Sequence, residues 1–330
     1  MILVTGGAGF IGSHVCEALL RQGEKVVCLD NLNAYYSPTL KRSNLDEVEA
    51  ARIKANLPQD AFVFVEGDIR DRELLAGLFA AYSISAVIHL AAMAGVRPSL
   101  EDPVLYNDVN INGTLNILEC MRTHKVSSLV FASSSSVYGN QEKVPFSEAD
   151  FVDHPISPYA ATKKAGELLC HTYHHLYGIS TACLRFFTVY GPRQRPDLAI
   201  RKFAGLILNE QPLPFYGDGS TRRDYTYIDD IVSGIMASLA FARNPLGFEV
   251  FNLGESHTVS LQEMVSTLED ALGKKAILNR QPMQPGDVLQ TFADVSKAKA
   301  LLDYRPSIPF PEGIARFVEW YLQKAPEARA

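Results

Sequence analysis

Tyr159-Ala160-Ala161-Thr162-Lys163 sets a phenol and an ammonium four residues apart, and on a helix that spacing returns both to nearly the same face. A phenol near its ordinary pKa of about 10 is a poor base at neutral pH, but a neighbouring cation favours its ionised form. Tyr159 can then accept the proton of a hydroxyl whose carbon is losing hydride, with Lys163 close beside it. Ala132-Ser133-Ser134-Ser135-Ser136-Val137-Tyr138-Gly139 follows an apolar run and supplies hydroxyls. One of them can donate to the developing carbonyl oxygen and relay its proton to the phenol, while others satisfy the backbone of a turn. Serine hydrolysis is disfavoured: no Gly-x-Ser-x-Gly elbow occurs, and the eight histidines identify no triad. His171, His174 and His175 have a spacing that could hold a metal, but their Tyr- and Leu-rich surroundings read more simply as helix surface, so no metal is expected.

Hydride needs an acceptor, and the start of the chain offers a place for one. Thr5-Gly6-Gly7-Ala8-Gly9-Phe10-Ile11-Gly12 puts glycines at 6, 9 and 12 between an apolar run and a helical pattern. Missing side chains there permit a tight turn, close phosphate approach and close helix packing, while the helix N-terminus presents unpaired N–H groups. Asp30 ends the next apolar run, where its carboxylate can accept both hydroxyls of an adenosine ribose and repel a 2'-phosphate. NAD is therefore favoured over NADP, although Lys41 or Arg42 could reach back toward that position. Gly67-Asp68-Ile69 can hold adenine or form a simple turn. Leu90-Ala91-Ala92 gives small residues where a dinucleotide could cross the sheet edge, and Asn110 can bond either that strand or the cofactor.

The elements that must carry these residues are legible in the hydrophobic pattern. Ile2 to Thr5, Val26 to Leu29, Phe62 to Val65, Ala86 to Leu90, Leu129 to Ala132 and Thr181 to Phe187 are short apolar strands. Helical segments over Ile11 to Leu20, Arg72 to Phe79, Val109 to Met121 and Tyr159 to Tyr177 alternate with them, the last ended by Gly178. Buried strands joined by such crossovers predict a doubly wound, mostly parallel α/β sheet. The prolines from Pro192 to Pro214 break this rhythm around a helix from about Leu198 to Leu208. We therefore expect a cofactor domain over 1–190 and a smaller α/β substrate lobe over 191–330, with about 248–255 returning to the main sheet. Residues 44–56 read as an exposed helix and 326–330 as a loose tail.

The chain has 330 residues, 31 basic against 37 acidic side chains and a formal charge of -6. No basic stripe suits nucleic acid, and no apolar run suits a membrane span. Met1-Ile2-Leu3-Val4-Thr5 carries no leader signature, and five cysteines without a CxxC pair read as reduced thiols, so a cytoplasmic protein is expected.

TGGAGFIG at 5–12, ASSSSVYG at 132–139, YAATK at 159–163 and RFFTVYGPRQRPD at 185–197 resemble the extended short-chain dehydrogenase/reductases. Within them the chain is most similar to nucleotide-sugar 4-epimerases that act on UDP-glucuronic acid. The resemblance covers nearly the whole chain and implies a Rossmann-like fold, a homodimer and a UDP-sugar oxidised at C4 by bound NAD, turned over as a 4-keto sugar and reduced on its other face. It implies Tyr159 as acid and base, Lys163 on the nicotinamide ribose and Ser134 on the reacting oxygen. NAD contacts would come from Gly6, Gly9, Phe10, Ile11, Gly12, Asp30, Asn31, Asn33, Asp68, Ile69, Leu90, Ala91, Ala92, Asn110 and Phe187. Ser135, Ser136, Thr188 and Arg195 would face the sugar, Arg195 holding its carboxylate. Arg97 would approach the substrate, Arg223 its diphosphate, Pro214-Phe215-Tyr216 the uracil and Asp287 the uridine ribose.

The chain departs from neighbouring patterns in three places. Related dehydratases carry Asp-Glu where it has Ser135-Ser136, which disfavours water elimination. Glucose/galactose epimerases commonly have Asn where it has Thr188 and Arg where it has Gln284. On residue type alone Arg193 and Arg195 favour an anion site, with a solvated loop charge as the lesser alternative. UDP-glucose or UDP-N-acetylglucosamine epimerisation, UDP-glucuronate decarboxylation and a non-enzymatic NAD-binding redox sensor are the alternatives.

Overall fold

The structure, a computed structural model of the chain, describes residues 1–244, 247–283 and 289–324. In chain order the first half runs β1 (Ile2–Thr5), α1 (Phe10–Arg21), β2 (Val26–Asp30), α2 (Pro38–Lys54), β3 (Phe62–Glu66), α3 (Arg72–Ala81), β4 (Ala86–His89), α4 (Val96–Glu101), α5 (Pro103–Asn107), α6 (Gly113–Thr123), β5 (Ser128–Ser134), α7 (Pro158–Tyr177) and β6 (Ser180–Phe186). The second half continues with β7 (Thr188–Tyr190), α8 (Ala199–Leu208), β8 (Pro212–Tyr216), β9 (Arg222–Tyr227), α9 (Ile228–Arg243), β10 (Phe248–Leu253), β11 (Thr258–Ser260), α10 (Leu261–Leu272), β12 (Ile277–Gln281), α11 (Ser296–Leu302) and α12 (Phe310–Gln323).

Among the described residues, seven parallel strands form the main sheet in the order β10-β6-β5-β4-β1-β2-β3. Strand order runs outward in both directions from the β1–β4 pair, so the crevice where ligands bind such sheets opens past Thr5 and His89. One apolar layer, with Val15, Leu19 and Ile235, covers one face of the sheet, and a second, with Leu75, Ile117 and Tyr173, covers the other. Strands buried on both faces explain their nearly continuous Val/Ile/Leu content.

α7 begins at Ser157, whose side chain accepts from the Ala160 N–H at 3.2 Å, and ends at left-handed Gly178. Its close seat on β5 depends on Gly166, where an added Cβ would stand 2.3 Å from the Phe131 ring. α2 is longer than the sequence predicts and is not simply exposed. Lys41, Asn44 and Val48 are buried along one side, and Asn44 Nδ2 donates to the Ala8 carbonyl in the glycine turn at 2.9 Å.

After β6 the chain builds a smaller part from the β11-β9-β7 sheet, the parallel β12-β8 pair and helices α8, α10 and α12. β10 then returns to pair with β6. α9 also belongs beside the main sheet, since its Ile231, Ile235 and Leu239 share a core with Val130, Ala182 and Leu184. The expected tail at 326–330 lies outside the described residues, as do Gln284 and Asp287. No helix among the described residues is long and apolar enough to cross a membrane.

Candidate active site

A cleft of about 530 Å³ opens at the crevice between β1 and β4, a size that suits a small ligand or cofactor. Gly6, Gly9, Phe10, Ile11 and Gly12 line its floor. An added Cβ on Gly12 would stand 2.1 Å from the Gly6 carbonyl oxygen, and one on Gly6 would meet the Ala91 nitrogen at 2.8 Å. Gly9 opens α1 without a side-chain cap, and no acidic residue occupies the first turn, so uncapped N–H groups and the positive helix end meet the cleft. That cradle fits a diphosphate. Thr5 and His89 brace the floor through a 2.7 Å hydrogen bond, and His89 continues to Thr114 at 3.0 Å. Burial and the charge of Lys163 push the His89 imidazole down to about 3, so it is neutral.

Asp30, Asn31 and Asn33 form a chain of side-chain turns. Asp30 accepts from the Leu32 N–H at 2.9 Å, Asn31 from the Asn33 N–H at 3.0 Å and Asn33 from the Tyr35 N–H at 2.8 Å. Asp30 also accepts from Ala8 N–H at 3.1 Å, which leaves it further lone pairs toward the cleft it lines. Burial raises its pKa, against Lys41 and these N–H donors. Lys41 lines the same end and donates to the Asn33 carbonyl, while Arg42 turns away to Glu66.

Asp68, Ile69, Leu90, Ala91 and Ala92 also line the cleft. The Asp68 carboxylate is already committed: it accepts from Arg70 N, Nε and Nη2 and from Asn31 Nδ2 at 2.8–3.0 Å. Arg70 first of all holds its pKa down at about 2. Four donors fill four acceptor positions, so an adenine amino group could reach Asp68 only by displacing one of them. Of the two uses expected for Asn110, the structure shows the bond to the segment after β4. Asn110 does not line the cleft; its amide bonds Met93 N and O at 2.8 and 3.0 Å and Thr162 Oγ1 at 3.0 Å, pinning the loop after β4 to α7.

At the other end, Ser134, Ser135, Ser136, Tyr159, Lys163, Phe187, Thr188 and Arg195 come together around the cleft. Ser134 is extended at the end of β5, and its hydroxyl accepts from the Ser136 N–H at 3.1 Å. Burial raises the Tyr159 phenol, while a hydrogen bond with Ser134 and the charge of Arg195 pull it back down. Lys163 is buried, donates to the Ala132 carbonyl at 2.8 Å and stands 6.0 Å from the Tyr159 ring centroid. Burial lowers its pKa to about 8, leaving it mostly protonated at pH 7.

Below this group, Glu167 on α7 accepts from Ser133 Oγ at 2.7 Å and from Arg185 Nε and Nη2 at 2.8 and 2.9 Å. Arg195 is paired with Asp197 through 2.9 and 2.7 Å hydrogen bonds and lies 5.2 Å over the Tyr35 ring. Sequence reasoning missed Tyr35, Tyr36, Met93, Ala94 and Leu198, all of which line the cleft. The adjacent tyrosines just past Asp30 were the available signal.

The family model for GDP-mannose 4,6 dehydratase matches residues 3–317. The chain belongs to the GDP-mannose 4,6 dehydratase family. It is 49% identical over 319 residues to a UDP-glucuronate 4-epimerase of Thermodesulfobacterium geofontis, covering 96% of this chain and 95% of the relative. The crystal structure of a Bacillus cereus UDP-glucuronic acid 4-epimerase with UDP-glucuronic acid and NAD superposes with a TM-score of 0.88 at 40% identity, over 97% of this chain and 98% of that one. A Thermotoga maritima UDP-glucose 4-epimerase with UDP-glucose superposes at 0.87 with 32% identity, over 98% of both chains.

Within the GDP-mannose 4,6 dehydratase family, what the cleft lacks is as informative as what it holds. Asp30 and Asp68 are the only carboxylates among the described residues that line it, and both sit at the end away from Tyr159. Several expected substrate residues lie outside it. Arg97 on α4 stands 6.0 Å over the Tyr216 ring, Phe215 is wholly buried beneath Arg280, and Arg223 Nη1 donates to the Arg222 carbonyl. Pro214 is on the same strand as Phe215. Phe215 therefore offers no side-chain surface to a ligand, a correction that follows from its inward position in β8. Arg193 is separated from Arg195 in role: it pairs with Glu17 and with His14, tying the loop to α1. His171 packs edge-on against Phe248 at 5.0 Å.

Proposed function

We propose that this chain converts UDP-glucuronate and UDP-galacturonate into one another by oxidation and re-reduction at C4. The observation that carries this reading is the grouping of Ser134, Tyr159 and Lys163 at one end of the cleft with Arg195 beside them and no carboxylate among the lining residues there. The glycine turn, the uncapped end of α1, Asp30, Asn31, Asn33, Ile69 and Lys163 would hold NAD, which supplies a reversible hydride acceptor. Tyr159 takes the proton of the sugar's 4-hydroxyl, and Ser134 donates to the oxygen as it becomes a carbonyl. The 4-keto sugar turns about its diphosphate linkage and presents its other face, and Tyr159 returns the proton to the oxygen.

Arg195 supports a uronate over a neutral sugar, because a guanidinium matches a carboxylate with two parallel hydrogen bonds. The same contact answers a chemical hazard. The C6 carboxylate is beta to the C4 ketone and can be lost as carbon dioxide when the breaking bond aligns with the carbonyl. Arg195 and Thr188 hold it out of that alignment. Arg97 on α4, together with Tyr216 and Arg223 from the smaller part of the molecule, is assigned to the uridine diphosphate end. We divide the chain accordingly into a cofactor domain of 1–190 with 228–253, and a substrate lobe from the rest.

Exposed Leu100, Val104 and Leu168, on neighbouring helices α4, α5 and α7, support a homodimer. Five free thiols support the reducing cytoplasm as its place of action. The deciding experiment incubates the holoenzyme with each UDP-uronate, and separately with UDP-glucose and UDP-N-acetylglucosamine, and identifies products. Interconversion of the two uronates is expected. Accumulation of UDP-pentose with carbon dioxide would make it a decarboxylase, and NAD binding without turnover of any sugar would make it a sensor.

A further inference from the structure

The segment from Asp30 to Tyr35 joins the two ends of the cleft. It starts at the carboxylate assigned to the adenosine ribose and runs through three consecutive side-chain turns at 30, 31 and 33. Lys41 fastens it again by donating to the Asn33 carbonyl at 2.8 Å. It finishes with Tyr35 against the reacting end. There the Tyr35 hydroxyl faces Tyr106 and Asp197, and its oxygen lies 3.1 Å from where a Cβ on Gly95 would stand. Its ring underlies the Arg195 guanidinium at 5.2 Å, while Asp197 grips the same guanidinium edge-on with two hydrogen bonds. Tyr106 in turn donates to the Ala94 carbonyl at 2.9 Å and meets the Tyr159 ring edge-on at 6.3 Å.

Face and edge of Arg195 are thus both held before any substrate arrives. A planar cation clamped in this way has one remaining edge to offer, and a ring beneath it attracts it without neutralising it. We propose that Tyr35 is a positioning residue that seats Arg195 between the sugar carboxylate and the Tyr159 phenol, so that the loop beginning at the cofactor's ribose also builds the anion subsite. This rests on the uronate reading of the site and adds to it the residue that makes Arg195 available. The charged and titratable groups facing Tyr159 are Arg195 with its partner Asp197, Tyr106 from α5, Lys163 from its own helix and Tyr35 from the loop; Ser134 adds its hydrogen bond.

The test compares the holoenzyme, kept saturated with NAD, with Tyr35→Leu, which keeps bulk but has no aromatic face, and Tyr35→Phe, which keeps the face. Tyr35→Leu should lower kcat/KM for UDP-glucuronate about tenfold, the scale of a desolvated cation–π contact, mostly through KM. Turnover of UDP-glucose should change far less, and Tyr35→Phe should recover most of the loss. An equal loss on both sugars, or failure of Tyr35→Phe to recover, would overturn the assignment. A second reading needs no sugar. The ultraviolet titration of Tyr159, obtained by subtracting the matching Tyr159→Phe protein, should move to higher pH in Tyr35→Leu, because Arg195 no longer sits beside the phenol. An unchanged midpoint would also overturn it. Should the native enzyme turn over no nucleotide sugar, the functional reading fails while this titration still decides the role of Tyr35.

Discussion

Arg195 and Lys163 are two cations in one cleft, and burial acts on them differently. A guanidinium stays charged in any protein environment, so Arg195 can face a carboxylate across the whole working pH range. Arg195→Ala should lower kcat/KM for UDP-glucuronate about ten- to hundredfold, the range expected for hydrogen bonds to a charged group, and lower UDP-glucose turnover much less. Parallel steady-state assays check this, and equal losses would remove the anion role. Lys163 has been brought down to about 8 by burial, below its ordinary value, so its ammonium is present at pH 7 and is lost as pH rises through that value. NAD affinity of the stripped protein should therefore fall above about pH 8, whereas Lys163→Met should bind more weakly throughout without that inflection. Titration with NAD at several pH values reads the difference. Residue types and spacings made Tyr159, Lys163 and the glycine turn legible, because each must stand at a fixed distance along one element, whereas Ser134 was singled out among four serines only by the family resemblance. They could not show that the lone pairs of Asp68 are taken by Arg70 and Asn31. Nor could they separate Arg193, paired with Glu17, from Arg195, two positions on.

α7 carries both Tyr159 and Lys163, the pair to which the proposed chemistry is assigned, so its seat on the sheet sets their geometry. The seat has an apolar half, Gly166 against Phe131, and a polar half, Glu167 with Ser133 and Arg185. Both members of the ion pair have side chains only 2% exposed. Glu167→Ala would leave the Arg185 charge buried without its partner, which costs about 3–5 kcal/mol. Urea unfolding should register that loss, and Glu167→Leu combined with Arg185→Met should recover much of it. Burial alone would raise the Glu167 carboxyl, but hydrogen bonds and charge from Arg185 hold it below its ordinary range. Its contribution is thus complete above the unfolded carboxyl value of about 4.3 and disappears as pH falls through the lower folded value. The gap between native and Glu167→Ala proteins should close in that acid window. α7 was legible because Ser157, Pro158 and Gly178 mark its ends. α2 was read only in part, as an exposed helix over 44–56, because the residues on its buried side include Lys41 and Asn44, polar groups used for hydrogen bonds that leave no apolar stripe to read.

At the scale of the molecule, the first 190 residues contain the glycine turn, the serines and the Tyr159–Lys163 pair, yet they do not complete the sheet that holds them. β10 covers the edge of β6 with six paired residues. α9 covers one face, with Ile228, Ile231 and Ile235 all fully buried and Leu239 nearly so. Sequence rhythm identified the returning strand but not the returning helix, because α9 follows β9 of the smaller part directly and its apolar face does not say which core it meets. Losing each such side chain costs about 1.5–3 kcal/mol, against a total stability of about 5–15 kcal/mol for a typical domain. A chain ended after Tyr190 should therefore fail to fold, with β6 left as an unpaired edge that recruits other chains. Expression of residues 1–190 should yield aggregate or protein without a cooperative thermal transition, and no bound NAD. A fragment of that length that unfolds cooperatively and retains NAD would instead establish the cofactor domain as autonomous and reduce α9 and β10 to a cover.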